Sequence, residues 1–213
     1  MRTEKHLMLD IETMDNSGTS AVIAIGARIF TVDGGPARGF EIFIDPDKAS
    51  EYGTISVETM NWWNKQPAHD QAFAGKIHPA TAVFQFLEFV NTQKPKYIWA
   101  NSPEFDIAIM RYLCNGVGLK WPFHYRDARD CRTLFRLGDA MGFDVKKIWD
   151  NPDRKRHLPL DDATTQAEVT AELLKRIFNS QVVRSAQDCV LPPVVPLHSS
   201  VPPASTVSGS PEK

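Results

Sequence analysis

The stretch His6-Leu7-Met8-Leu9-Asp10-Ile11-Glu12-Thr13 is the part of the sequence that decides the fold. Its alternation predicts a strand over residues 6–11, with leucine and isoleucine on one face and Asp10 and Glu12 on the other. The two carboxylates come at the end of this strand, about 7 Å apart along it. Like charges this close raise each other's pKa unless cations neutralise them, so the pair indicates a cation site. A strand end that is simply exposed to solvent is the alternative.

The rest of the chain predicts an α/β fold with a mixed central sheet. Further strands are predicted at 21–30, 39–44 and 97–100, and the turn residues at 31–36 join the first two as an antiparallel hairpin. Helices are predicted at 57–65, 79–92, 105–114, 132–141 and 163–178. Three N-terminal strands followed by alternating helices and strands indicate a mixed sheet flanked by helices.

Length and composition indicate one folded unit followed by a tail. The chain has 213 residues, of which 42% are hydrophobic, enough for the core of a single domain with an extension. We expect the folded domain over residues 1–182. Residues 183–213 are rich in proline, serine and valine without helical or strand periodicity, so we expect a flexible tail there.

Other features of the sequence exclude several classes of protein. No run of about 18 apolar residues is present to span a membrane, and the first residues lack the apolar segment of a signal peptide. The cysteines Cys114, Cys131 and Cys189 are widely spaced and odd in number, which fits neither a disulfide framework nor a zinc site. These features predict a cytoplasmic protein without a membrane partner.

The charges are unevenly distributed along the chain. The formal net charge of −2, taken alone, argues against a nucleic-acid partner. However, residues 1–60 carry five basic and ten acidic side chains, whereas residues 111–160 carry eleven basic and six acidic ones. The near-neutral total therefore hides an acidic half and a basic half, although chance clustering on a solvated surface would give the same pattern.

Two later segments add candidate ligands to the acidic pair. Asp106 follows the fourth predicted strand and shares a helix face with apolar residues, where a carboxylate is costly unless it is paired or bound to metal. His157 lies on a proline-containing loop, and Asp161 and Asp162 follow in the first turn of the last helix. Helix capping is the alternative for each aspartate, and a lone histidine is more often structural. The combination supplies four carboxylates and one base, and such an oxygen-rich set without thiolates suits Mg²⁺ or Mn²⁺.

Three motifs in this order resemble those of the DEDDh exonucleases. They are Leu9-Asp10-Ile11-Glu12-Thr13, Asn101-Ser102-Pro103-Glu104-Phe105-Asp106 and His157-Leu158-Pro159-Leu160-Asp161-Asp162-Ala163. This superfamily contains RNase T, oligoribonuclease and the DnaQ-type enzymes and has an RNase H-like fold. Residues 59–66 and 129–134 look like the branch of phage DexA-type exonucleases and bacterial 3'–5' exoribonuclease-like domains. The resemblance covers about residues 5–180, with Pro159 standing where many relatives carry alanine.

The resemblance implies a two-metal hydrolysis of phosphodiester bonds. Asp10, Glu12, Asp106 and Asp162 would hold two Mg²⁺ or Mn²⁺ ions, and His157 would take the proton from the attacking water. The family's spacing selects Asp162, five positions after the histidine, rather than its neighbour.

The resemblance also indicates candidate contacts with the substrate. These are Thr13, Met14, Trp62, Asn101, Ser102, Phe105, Lys155 and Arg156. Phe105 is expected to stack on terminal bases, with a core position as the alternative. Trp62 and Trp63 point about 100° apart on a helix, so one is expected in the core and the other on the substrate groove. Lys155 and Arg156 flank the predicted base and are expected to contact phosphates.

The function implied by the resemblance is that of a 3'–5' exonuclease. It would release nucleoside monophosphates from single-stranded DNA or RNA 3' ends, and the choice of sugar stays open because no motif reveals contacts to the 2'-hydroxyl. One alternative is a non-catalytic nucleic-acid-binding or adaptor protein on the same fold. Another is a proofreading subunit tethered to a polymerase by the tail. A homodimer and a protein partner bound through the tail are compatible with each of these.

Overall fold

In the part of the chain that the computed structural model describes, residues 3–35, 37–150 and 152–182, five strands form one mixed sheet. They are β1 (His6–Thr13), β2 (Val22–Phe30), β3 (Arg38–Phe43), β4 (Tyr97–Ala100) and β5 (Ala128–Asp130). Their order across the sheet is β3-β2-β1-β4-β5. The first three strands pair antiparallel, as short connections allow, whereas β4 and β5 pair parallel to β1 and β4 after helical crossovers.

Helices flank the sheet on both faces. They are α1 (Pro46–Ala49), α2 (Val57–Trp63), α3 (His69–Ala72), α4 (Pro79–Gln93), α5 (Asp106–Gly116), α6 (Cys131–Ala140), α7 (Val145–Trp149) and α8 (Pro159–Val182). Ser56 caps α2 by accepting from the amide of Thr59, and Pro79 opens α4, where its missing N–H costs nothing. A 3₁₀ turn at Tyr125–Asp127 leads into β5.

The predicted mixed sheet, its N-terminal hairpin and the flanking helices are confirmed. The sequence did not reveal β5, since three residues carry no periodicity, nor the helices α1, α3 and α7 of four or five residues. The last helix begins at Pro159 rather than at the predicted residue 163. Proline suits the first turn of a helix, so α8 starts directly after the histidine loop.

Two apolar clusters cover the two faces of the sheet. On one face Leu7 and Leu9 pack with residues of α2, α4 and α5, and on the other Met8 packs with residues of α6, α7 and α8. Alternation along β1 puts Asp10 on the same side as Met8. The first catalytic candidate therefore faces α8, the helix that carries the last motif.

A close backbone approach sets the position of α8 on the sheet. Gly26 of β2 pairs with Asp10 of β1. A Cβ atom on Gly26 would lie 2.1 Å from the carbonyl carbon of Pro159 and 2.4 Å from the amide nitrogen of Leu160. Only glycine lets the first turn of α8 rest on β2 at this depth.

The structure describes two of the three cysteines and none of the predicted tail. Cys114 and Cys131 are buried free thiols, and burial raises the pKa of the Cys114 thiol to about 12. Cys189 and the predicted tail at 183–213 lie outside the described residues. Within residues 3–182, apart from positions 36 and 151, none of the helices combines the length and apolar character needed to cross a bilayer.

Candidate active site

A cavity of about 660 Å³ lies where β1 and β4 end, and we call it the catalytic cavity. Its lining includes all five predicted catalytic residues: Asp10, Glu12, Asp106, His157 and Asp162. The first two come from β1, the third from the first position of α5, His157 from the loop before α8, and Asp162 from the first turn of α8. Parallel neighbouring strands end at the same edge of a sheet, where open α/β sheets bind their ligands.

Burial raises the pKa of the four predicted carboxylate ligands, and neighbouring carboxylates add to the effect at Asp10 and Glu12. Burial raises the pKa of Asp10, and the charges of Asp106, Glu12 and Asp162 raise it further. Burial is also the first cause of the raised pKa of Glu12 and of Asp162. It raises the pKa of Asp106 to about 7, against the lowering effect of the Ile11 amide. Four ionised groups at this spacing therefore need a positive charge among them at neutral pH.

Two hydrogen bonds join these carboxylates to other elements. The amide of Ile11 donates to Oδ1 of Asp106 at 3.2 Å, which ties α5 to β1. Nε2 of Gln166 donates to Oδ1 of Asp10 at 2.7 Å, which ties α8 to β1. Gln166 was not among the residues predicted for this site. Its signal was the spacing of four from Asp162, one helical turn further along the same face.

The ligand atoms suit a divalent cation that prefers oxygen. Glu12, His157 and Asp162 each offer a ligand atom, and all three atoms lie within 4.8 Å of one another. Carboxylates without thiolates are the donor set of Mg²⁺ and Mn²⁺. Among the described residues, Oε1 of Gln166 is buried beside them without a hydrogen-bond partner, and water around a bound cation would supply one. The residues present therefore fit the predicted metal ions.

His157 is held in an uncommon backbone conformation. Its φ of 63° lies in the left-handed region, which is strained for any residue other than glycine. Its amide donates to Oδ2 of Asp162 at 2.8 Å, and its ring meets the ring of Trp62 edge-on with centroids 4.8 Å apart. Burial, opposed by Asp162 and assisted by Arg156, lowers the pKa of His157. The imidazole is therefore neutral at pH 7 and able to accept a proton.

A second cavity of about 310 Å³ opens beside the first, and we call it the terminal cavity. Trp62, Thr13 and Phe105 line it, and it shares Glu12 and Phe105 with the catalytic cavity. Trp63 is 1% exposed and donates Nε1 to the carbonyl of Thr13 at 2.8 Å, whereas Trp62 is 40% exposed. Trp63 is therefore the buried tryptophan of the pair, and Trp62 is the one with exposed surface in the terminal cavity.

The remaining predicted contacts divide into two groups. Asn101, Ser102 and Arg156 line the catalytic cavity. Met14 instead lies in the hydrophobic core, 3% exposed, because the pairing of β1 shifts register after Glu12 and turns the chain inward. Lys155 is exposed and lines neither cavity. The burial of Met14 argues against its contact with substrate, and the contact of Lys155 with phosphate stays a prediction.

Asp161, the neighbour of the predicted ligand, has a structural contact instead. Its Oδ2 accepts from the amide of Lys155 at 3.0 Å, which closes the loop before α8. Asp162, not Asp161, lines the catalytic cavity.

Arg132 is a cavity residue that the motifs did not indicate. It belongs to the first turn of α6, and its Nε and Nη2 donate to the side-chain and backbone oxygens of Asn101 at 3.2 and 2.8 Å. Its charge lowers the pKa of Asp106, although burial outweighs it. The pairing of β5 with β4 brings the start of α6 to the loop after β4. This contact joins distant segments, so the local sequence does not predict it.

The chain is similar to one protein-family model and to solved structures of other proteins. The family model of the 3'-5' exoribonuclease Rv2179c-like domain matches residues 5–174. The structure of S. pombe Pop2p in its Mg²⁺ and Mn²⁺ bound form is similar at 12% identity and a TM-score of 0.59, over 82% of this chain and 84% of that chain. The structure of E. coli Exonuclease I in complex with a dT13 oligonucleotide is similar at 15% identity and a TM-score of 0.56, over 84% of this chain and 43% of that chain. No curated protein matches the sequence.

Proposed function

Since this chain belongs to the family of 3'-5' exoribonuclease Rv2179c-like domains, we propose that it removes nucleoside monophosphates from single-stranded 3' ends with the help of Mg²⁺ or Mn²⁺. It is a 3'–5' exonuclease of the DEDD superfamily with an RNase H-like fold. The observation that carries the proposal is one cavity whose lining brings the four predicted carboxylate ligands together with His157. The metal-bound Pop2p structure and the oligonucleotide complex of Exonuclease I support the cofactor and the substrate class.

The chemistry of the proposal is assigned to residues of this chain. Asp10, Glu12, Asp106 and Asp162 would hold two divalent cations, which supply Lewis-acid activation of water and charge stabilisation at the scissile phosphate. His157 accepts the proton of the attacking water at an imidazole nitrogen. Its lowered pKa keeps the imidazole neutral for this step. The bond from its amide to Asp162 keeps base and carboxylate together.

The terminal cavity is the proposed site of the 3'-terminal nucleoside. Trp62 and Phe105 offer aromatic surface to the base, and a base–aromatic stack is worth about 1–3 kcal/mol. Thr13 lines this cavity, and Glu12 lines both this cavity and the catalytic one. Arg132 and Arg156 are the cations proposed to contact the phosphates. The family description favours RNA, and residues 59–66 and 129–134 remain our reason for placing the chain near the DexA-type branch.

The test is a time course with Mn²⁺ on matched single-stranded RNA and DNA, each labelled at its 5' end. We expect a ladder that shortens stepwise, with RNA shortened faster than DNA. Asp10→Asn should abolish shortening and keep the fold, whereas Asp47→Asn, a matched change on exposed α1, should leave the rate unchanged. Internal cuts would contradict exonuclease action. Binding without shortening would favour the non-catalytic alternative.

His157→Ala separates the proposed base from the metal ligands. We expect it to slow hydrolysis by about 10²–10⁴-fold, the usual contribution of a general base. The rise in melting temperature on adding Mn²⁺ should persist, since the four carboxylates remain. Unchanged hydrolysis by this variant would remove His157 from the mechanism.

A further inference from the structure

A third cavity, of about 320 Å³, lies on the other side of the loop between β4 and α5, and we call it the aromatic pocket. Its lining includes Glu104 of the loop, Arg111 of α5 and the aromatic residues Trp121, Phe123, His124 and Tyr125. We propose that the aromatic pocket binds a nucleobase upstream of the nucleotide being removed. The proposal rests on the proposed function and adds to it a binding site for the body of the single strand.

Shared lining residues place the catalytic cavity between the other two. Glu12 and Phe105 belong to both the terminal and the catalytic cavity, and Glu104 belongs to both the catalytic cavity and the aromatic pocket. A strand whose 3' end occupies the terminal cavity and whose scissile phosphate meets the carboxylates continues towards the aromatic pocket. The pocket volume lies at the lower end of the range for small-ligand sites, of order 300 Å³, as a single base requires.

Tyr125 presents the aromatic surface that a base would use. Tyr125 is 69% exposed, although large aromatic residues are usually more buried. The guanidinium of Arg126 lies 5.5 Å from the ring centroid, and its Nε donates to the tyrosine hydroxyl at 3.0 Å. An exposed ring with a cation beside it is the arrangement by which single-strand binders hold bases without regard to sequence.

Two hydrogen bonds hold the turn that carries Tyr125. His124 accepts from the amide of Arg126 through its ring at 3.3 Å, and Asp127 accepts from the amide of His124 at 2.9 Å. These two bonds form a capping box around the 3₁₀ turn. The ring therefore needs little ordering before a base stacks on it.

The charge around the aromatic pocket favours nucleic acid over a second copy of the chain. Two arginines of the basic run lie on this side, Arg126 beside the Tyr125 ring and Arg132 in the catalytic cavity, whereas Arg129 packs over the ring of Tyr97. Arg111 lines the pocket itself. A symmetric contact between two copies would bring these arginines together, whereas phosphates would neutralise them.

The test is the dependence of hydrolysis on substrate length. For the wild-type protein we expect kcat/KM to rise as single-stranded RNA lengthens from two to eight nucleotides. Tyr125→Ala should lower kcat/KM on the longest RNA by about tenfold, within the cost of losing one base stack, and should leave the shortest hydrolysed RNA unaffected. Tyr125→Phe, which keeps the ring but loses the hydroxyl that accepts from Arg126, should lower kcat/KM on the longest RNA less than Tyr125→Ala does. Tyr112→Ala removes an exposed tyrosine of α5 that lines neither cavity, and should match the wild type.

A second measurement does not depend on the variants. Eight-nucleotide RNAs with 4-thiouridine at one upstream position each should crosslink to Tyr125 or His124 from a single position, using Asp10→Asn protein to prevent hydrolysis. A flat length profile for the wild type, an equal loss at every length in Tyr125→Ala, or crosslinks elsewhere would overturn the proposal. A dimer that Tyr125→Ala dissociates without changing the length profile would assign the pocket to a second copy instead. Failure of the wild type to shorten either RNA or DNA would contradict the proposed function itself, and crosslinking would still report on the pocket.

Discussion

Arg132 enters the catalytic cavity with its orientation already set by Asn101. The two hydrogen bonds use Nε and Nη2 and leave Nη1 outside the pair. A guanidinium presents its donors in a planar fork that matches phosphate oxygens. Because the side chain is already ordered, little conformational entropy is lost when a phosphate binds.

Replacing Arg132 by alanine is expected to weaken substrate binding more than the chemical step. We expect KM to rise roughly tenfold, because a hydrogen bond to a charged group is worth about 1.5–3 kcal/mol, with kcat changed much less. The slope of log(kcat/KM) against log salt should fall by about 0.7, the value for one phosphate contact on a single strand. Steady-state kinetics at several salt concentrations measure both.

Arg136→Ala is the matched control for this prediction. Arg136 is on the same helix, one turn further on, and its side chain is 83% exposed beside Asp139. It removes the same charge outside the cavity and should leave the salt slope nearly unchanged. An equal effect of the two variants would show that Arg132 acts only through the net positive charge of the protein.

At the scale of elements, α8 and the loop before it bring three side chains to the end of β1. Asp162 and Gln166 are one turn apart on it, and His157 precedes its first residue. The contact of Pro159 with Gly26 sets how closely this helix start approaches Asp10. The catalytic geometry therefore depends on a glycine that touches no substrate.

Gly26→Ala is expected to damage both stability and rate. The added Cβ would meet backbone atoms of Pro159, which no rotamer change can relieve. Overpacking of this kind costs about 1–3 kcal/mol of the free energy of unfolding. A displacement of the histidine loop near 1 Å should lower kcat by about 100-fold.

Gly18→Ala tests whether the effect of Gly26→Ala comes from the contact. Gly18 has no atom within 4 Å of an added Cβ, so this variant should match the wild type in denaturant unfolding and in rate. A Gly26→Ala protein that is destabilised but keeps its wild-type kcat would contradict the link between this contact and the site.

At the scale of the whole molecule, the clustered carboxylates make the stability of the metal-free protein depend on pH. Their folded pKa values lie above the ordinary ones, so the native state binds protons that the unfolded chain has released. For Asp106 the ordinary value is 3.8 and the folded one about 7. The stability is therefore fully present below about pH 4 and is lost as the pH rises through about 7.

We expect the melting temperature in chelator to fall by roughly 5–10 °C between pH 5 and pH 8. About 1 kcal/mol corresponds to 2–4 °C for a chain of this size. Mg²⁺ or Mn²⁺ should reverse the loss, most strongly at pH 8, because binding to the native state adds stability in proportion to RT ln(1 + [L]/Kd). Asp106→Asn should flatten the pH dependence. A melting temperature that rises over this range in chelator would contradict the raised pKa values.

The sequence by itself determined the fold class and predicted the catalytic set. Alternation along β1 put Asp10 and Glu12 beside each other, and the order of the three motifs selected Asp106, His157 and Asp162, because these signals are local to their own segments. The division into a domain at 1–182 and a tail at 183–213 stays a prediction.

Only the tertiary structure decided what surrounds this set. The depth of α8 on Gly26, the exposure of Trp62 rather than Trp63, the burial of Met14 and the entry of Arg132 depend on contacts between distant segments. Strand β5 is too short for periodicity to predict it, yet its pairing with β4 places the start of α6 and the aromatic pocket beside the catalytic cavity. Periodicity reports the environment of one element, whereas a cavity is formed by residues from several elements, so the physical arrangement emerges only when they pack.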